Sequence, residues 1–202
     1  MNKREFLAAG AALIATLPAS ALARKKDKPA PAAPAVPEPA LLTISGAITR
    51  SNRGPLNPAF DVMLKKQNVH FDSAWSLTYA DLLKMPAVEM HATLEYDGKS
   101  HLLKGPYLAQ LLATAGAPTR DGVKVLLRAV DGYAAGMSLG DLRKYRYIVA
   151  THMDGKPMPL GGLGPLWAVY APDTFPDMAA KPLPDRFATC PWGLYHVEVQ
   201  SG

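Results

Sequence analysis

The chain has 202 residues, 49% of them hydrophobic, enough apolar material to bury one core. Its formal net charge of +5 is unevenly placed, with +1 in residues 1–23, +2 in residues 24–40 and only +2 in residues 41–202. A folded part so near neutrality excludes a broad nucleic-acid-binding surface. A single cysteine, Cys190, excludes an internal disulfide, and its expected state is a buried thiol.

Lys3 and Arg4 precede an apolar run from Phe6 to Ala23 that closes on Ala21-Leu22-Ala23, the pattern of a cleavable signal peptide over residues 1–23. Gly10 and Pro18 interrupt the run, so no anchoring helix is expected and the predicted location is the periplasm. Asn2-Lys-Arg-Glu-Phe-Leu7 is similar to a twin-arginine export signal with Lys3 in the first arginine place, although a Lys-Arg pair suits general secretion equally. Residues 24–40, basic and then alternating Pro and Ala, predict an extended linker. The domain is expected over residues 41–202.

Leu41 to Ile48 alternates well enough for an opening strand, followed by a loop over residues 49–55. In that loop Asn52 offers an amide for a heterocycle edge, though Asn is also a common turn former. Residues 58–72 fix no state. Thr78 and Asp81 have capping-box spacing for a helix that ends by Met85, before Pro86. Val88, Met90, Ala92 and Leu94 alternate with polar residues in a half-buried strand that turns at Asp97-Gly98 towards His101-Leu-Leu103. Gly105-Pro106 opens a helix over residues 107–115, with Gly116 as its C-cap. Apolar runs at 123–130, 147–150 and 166–170, bounded by tight turns at Asp131-Gly132 and Asp154-Gly155 and by a Gly/Pro loop, read as core strands, and Ser138 with Asp141 caps a short helix ending near Lys144. Residues 173–185 form a proline-rich lid, and residues 192–199 alternate as a closing strand.

Several chemistries lack their residues. The five histidines form no i, i+4 pair, and no cysteine pair exists, which speaks against structural zinc. No Gly-x-Ser-x-Gly elbow is present. Gly161, Gly162 and Gly164 lead through Pro165 into a strand, so they present no helix N-terminus to a dinucleotide.

The runs Ala129-Val-Asp-Gly-Tyr133, Ile148-Val-Ala-Thr-His-Met-Asp-Gly-Lys-Pro-Met158 and Gly164-Pro-Leu-Trp-Ala-Val-Tyr-Ala-Pro172 resemble the molybdopterin-binding oxidoreductase domain. The resemblance implies a sulfite-oxidase-like α+β fold with a mixed β-sheet and short helices. It places Thr93 where the family's enzymes carry their molybdenum-ligating cysteine, a soft ligand that Thr cannot replace. It also places Trp167 where Gly-Pro-Leu is usually followed by an arginine suited to phosphate. The Gly-Pro-Leu-Trp form is similar to small periplasmic proteins that bind a metal-free reduced pterin and are linked to membrane enzymes of cyclic-di-GMP signalling.

The expected pterin contacts are aromatic walls from Tyr133, Trp167 and Trp192, polar groups from Asn52, His91, Thr93 and Asp131, and close backbone approach at Gly164. Asp131-Gly132 reads equally as a plain turn. Trp167, Tyr133 and the 91–93 strand are expected to share one cavity under the 158–165 loop. The alternatives are a molybdopterin-dependent oxidoreductase, its metal held without a cysteine or by Cys190, and a scaffold kept for protein interaction.

Overall fold

The computed structural model describes residues 38–201. The signal peptide and most of the linker expected from the sequence lie outside these residues. Three sheets and five short helices build the domain, a mixed arrangement consistent with an α+β fold. Among the described residues no helix is long and apolar enough to cross a membrane.

The largest sheet runs β2 (Ala74–Thr78), β1 (Ala40–Gly46), β11 (Leu194–Val199), β5 (Lys124–Ala129) and β6 (Ala134–Ser138) across its width. First and last strands of the domain pair in parallel, Thr43 against His196 and Ser45 against Glu198, while the other pairs are antiparallel. Leu42, Ile44, Leu77, Val125, Leu127 and Val197 are buried on the apolar side. Thr43, Ser45 and His196 are buried as well, so β1 and β11 are covered on both faces.

That polar face is fully hydrogen-bonded around His196. Ser45 Oγ lies 3.0 Å from Nε2 and an Arg128 amine nitrogen lies 3.2 Å from Nδ1. The same nitrogen donates to Glu198 at 2.7 Å. A guanidinium can only donate, so Nδ1 is the acceptor, Nε2 carries the proton and Ser45 Oγ accepts it. The pair therefore has the wrong proton placement for a serine activated by a histidine base.

The second sheet runs β3 (Ala87–Thr93), β4 (Ser100–Pro106), β8 (His152–Met153) and β9 (Lys156–Pro157). The Asp97-Gly98 turn joins β3 to β4, and the Asp154-Gly155 turn joins β8 to β9, both where the sequence places them. A third sheet pairs β7 (Ile148–Ala150) with β10 (Trp167–Val169). Gly105 of β4 packs flat against the backbone of Val149 and Ala150; any side chain there would strike main-chain atoms.

Helix α1 (Val62–Lys66) fills part of the 58–72 stretch, for which no state is predicted from the sequence. Helix α2 (Tyr79–Leu83) starts at the expected capping box: Thr78 Oγ1 accepts from Asp81 N, and Asp81 accepts from Thr78 N. Helix α3 (Leu108–Thr114) starts two residues after Gly105-Pro106, which still belong to β4. Helix α4 (Leu139–Lys144) is capped by Ser138, whose Oγ accepts from Asp141 N at 3.0 Å. The proline-rich lid contains a 3-10 turn, α5 (Pro176–Ala179) and a second 3-10 turn over Pro184–Phe187.

Candidate functional site

The turns that follow β3 and β5 meet the chain segment that precedes β11, and a cleft opens between them. The β3–β4 turn contributes Glu95 and Tyr96, the β5–β6 turn Asp131 and Tyr133, and the last segment Phe187, Cys190 and Trp192. Its volume is about 240 Å³. Tyr96, Tyr133 and Trp192, 56%, 48% and 38% exposed, give the cleft flat aromatic walls open to solvent.

Each wall is held in place by local chemistry. Asp131 Oδ1 accepts the Tyr133 backbone N–H at 2.9 Å, and Gly132 takes a positive φ of 97° to close the turn. Tyr133 Oη donates across the cleft to the Ala188 carbonyl, tying the β5–β6 turn to the last segment. Arg186 braces that segment, donating to the Ala179 and Lys181 carbonyls and to Asp173 Oδ1 at 2.8 Å. The other Asp173 oxygen accepts the Thr93 N–H at 2.8 Å, so the brace reaches β3.

The electrostatics favour a donor-rich guest that carries no negative charge. Two carboxylates line the cleft and, among the described residues, no lysine or arginine does. Burial, aided by the neighbouring Glu95 carboxylate, pushes the Tyr96 phenol up to about 12, so it stays protonated. On the floor, burial pushes the Cys190 thiol up to about 12 as well. Its Sγ lies 3.8 Å from Tyr147 Oη and has no cation beside it. Burial thus disfavours the thiolate, the form in which a cysteine binds a metal.

Of the eight residues expected from the sequence, Asp131, Tyr133 and Trp192 meet at this cleft. The other five are placed elsewhere. Trp167 is 1% exposed, donates Nε1–H to the Cys190 carbonyl at 2.9 Å and packs on Phe187 at 5.9 Å between ring centroids. It stands behind the cleft rather than on it. The shared cavity of Trp167, Tyr133 and the 91–93 strand does not form, because Phe187 and Cys190 occupy the space between Trp167 and the opening. Gly164 approaches the Met158 backbone so closely that a Cβ would overlap it, so its missing side chain serves the chain's own packing.

Both halves of the Asn52 amide are taken by the Ser76 backbone, each at 2.7 Å, which fastens the 49–55 loop to β2. His91 is exposed on the edge strand β3, paired in register with Leu102. Thr93 engages Asp173 through its main chain, as above. Sequence reasoning missed Glu95 and Tyr96, two and three residues past Thr93. Their signal was there, an aromatic beside an acid at a hairpin turn, where side chains face open space.

A larger, mostly apolar cleft of about 520 Å³ lies beyond Val130, between the 158–165 loop and α1, with Phe60 and Leu160 at its rim. Tyr195 also lines it, and its buried Oη has no hydrogen-bond partner among the described residues.

Fold and cleft define a class: a mixed-sheet α+β domain with an aromatic, acidic cleft where its turns converge. No protein-family model matches the sequence, and no curated protein is significantly similar to it. Solved structures do match in fold. The crystal structure of the sulfane dehydrogenase SoxCD from Paracoccus pantotrophus superposes with a TM-score of 0.53 at 12% identity. The match takes in 80% of this chain and 38% of that one. At that identity the likeness concerns fold alone, and it supports the sulfite-oxidase-like fold expected from the sequence.

Proposed function

We propose that the protein binds a pterin in the cleft between Tyr96, Tyr133 and Trp192, and that the pterin is a reduced, metal-free one. The observation that carries this reading is the pairing of aromatic walls with Glu95 and Asp131. A pterin is flat, and its amino-pyrimidine edge offers adjacent N–H donors that a carboxylate accepts two at a time. Molybdopterin fits the same residues less well. Its phosphate would meet two carboxylates and no cation, and its metal would meet a thiol held protonated. In this reading the chain is a periplasmic ligand-sensing module that reports pterin occupancy to a membrane signalling partner, such as an enzyme of cyclic-di-GMP metabolism.

A second reading, a molybdopterin-dependent oxidoreductase, has a specific observation in its favour. The likeness to a sulfane dehydrogenase supports it better than it supports a sensor. Protein purified from its native periplasm separates the two. Mass spectrometry of the released small molecules is expected to find a pterin without the dithiolene and phosphate, with molybdenum far below one atom per chain. Near-stoichiometric molybdenum that disappears in Cys190→Ser would establish the oxidoreductase instead.

A further inference from the structure

The Leu94–Lys99 turn, which carries Glu95 and Tyr96 into the cleft, is closed by two backbone bonds of 2.9 Å, Leu94 N to Lys99 O and Gly98 N to Leu94 O. Beyond the pairing of β3 with β4 and the burial of Leu94, His101 of β4 ties it to the neighbouring β8–β9 turn. Nε2 lies 3.1 Å from Asp97 Oδ2 of this turn, and Nδ1 lies 2.7 Å from Asp154 Oδ2 of the β8–β9 turn. We propose that His101 is a pH-sensitive latch on the Tyr96 wall of the cleft, joining the two turns while protonated and releasing the Leu94–Lys99 turn when it loses its proton. The proposal rests on the cleft reading above and adds regulation to it.

Two carboxylates face the two ring nitrogens, and a carboxylate only accepts. Both bonds form only when both nitrogens carry hydrogen, that is, as imidazolium. Neutral imidazole turns a lone pair towards one carboxylate and leaves two like charges on either side of an uncharged ring. Asp154 remains fixed in either case, because its Oδ1 accepts the Leu102 N–H at 2.9 Å. Asp97 is held otherwise only within its own turn, by Lys99 N at 3.0 Å. The bond to Asp97 is therefore the one that yields.

The other charged groups facing this cluster are Lys99, beside Asp97, and His91 of β3, beside Asp154. The Asp154 bond first, then the Asp97 bond, holds the His101 pKa above its ordinary 6.5. A group raised on folding stabilises fully below its unfolded pKa and loses that contribution as pH rises through the folded one. The latch is thus fully closed below pH 6.5 and opens as pH rises through the folded pKa, which lies above that value.

Hydrogen exchange at pH 6 and pH 8.5, corrected for intrinsic rates, tests the latch without any ligand. Protection of the Leu94 and Gly98 amides is expected to fall severalfold at the higher pH, as the Asp97 bond is lost. In His101→Gln protection should be low at both. Equal protection at both pH values in the native protein, or a pH effect that survives in His101→Gln, overturns the proposal. Anaerobic titration with 6,7-dimethyltetrahydropterin then tests the link to the cleft, with affinity expected to fall alongside protection. A turn that loosens while affinity stays constant overturns that link. A turn that loosens in a protein binding this pterin at neither pH upholds the latch and removes the pterin reading.

Discussion

Trp167→Ala is expected to destabilise the domain by about 3–5 kcal/mol, the range for a fully buried Trp cut back to Ala. The side chain is 1% exposed, stacks near Phe187 and satisfies the Cys190 carbonyl through Nε1. Its loss leaves both a cavity and an unpaired buried acceptor. For a domain of this size each kcal/mol moves Tm by roughly 2–4 °C, so a drop on the order of 10 °C should appear in a thermal melt. Pterin affinity, measured where the variant is still folded, should change little. Trp192→Ala reverses the pattern: at 38% exposure it supports little of the core, so the melt should move little while affinity falls. A Trp167→Ala variant that melts normally but no longer binds would return Trp167 to the ligand wall.

The second large effect is acid sensitivity centred on His196. Burial, with a smaller contribution from Arg128, pushes its pKa down from 6.5 to about 3. The unfolded chain therefore takes up a proton at a pH where the folded protein refuses one. Stability associated with neutral His196 is complete above pH 6.5 and is lost as pH falls towards 3. At about 1.36 kcal/mol per pK unit, the full span is worth on the order of 5 kcal/mol. Asp81, Asp97, Asp154 and Asp177 have lowered pKa values and lose their contributions in the same direction, though only as carboxylates protonate, below about pH 4. Urea unfolding between pH 7 and 4.5 lies above that range. There the native protein should lose stability as pH falls below 6.5, whereas His196→Gln should lose none and gain slightly as His101 takes up its proton. Parallel slopes for the two proteins would show that another group carries the effect.

Local chemistry made much of the fold legible. The Thr78 and Ser138 caps, the Asp97-Gly98 and Asp154-Gly155 turns and the apolar strands all depend on neighbours a few residues away. Strand β6 was not legible, because Ala134-Ala-Gly-Met has weak strand preference and is extended only by pairing with β5. Strand β2 was hidden for a similar reason, as five residues ending on a helix cap.

The site was legible in part. Tyr133 and Asp131 announced themselves as the residues of a strand-end turn, and Trp192 as the start of the closing strand. Trp167 was misplaced because its burial is decided by Phe187 and Cys190, some twenty residues later in the chain. Asn52 was misplaced because the Ser76 backbone that occupies its amide belongs to the strand the sequence did not reveal.

The cleft itself is tested most directly by anaerobic equilibrium titration of 6,7-dimethyltetrahydropterin into the native protein and into Trp192→Ala and Asp131→Asn. Binding is expected in the native protein. Stacking of a flat base on an aromatic side chain is worth about 1–3 kcal/mol, so Trp192→Ala should weaken it roughly tenfold to a hundredfold. Asp131→Asn, which exchanges an acceptor oxygen for a donor, should weaken it as well while leaving the melt unchanged. A native protein that takes up no pterin, or variants that bind as tightly as the native chain, would contradict the assignment of this cleft.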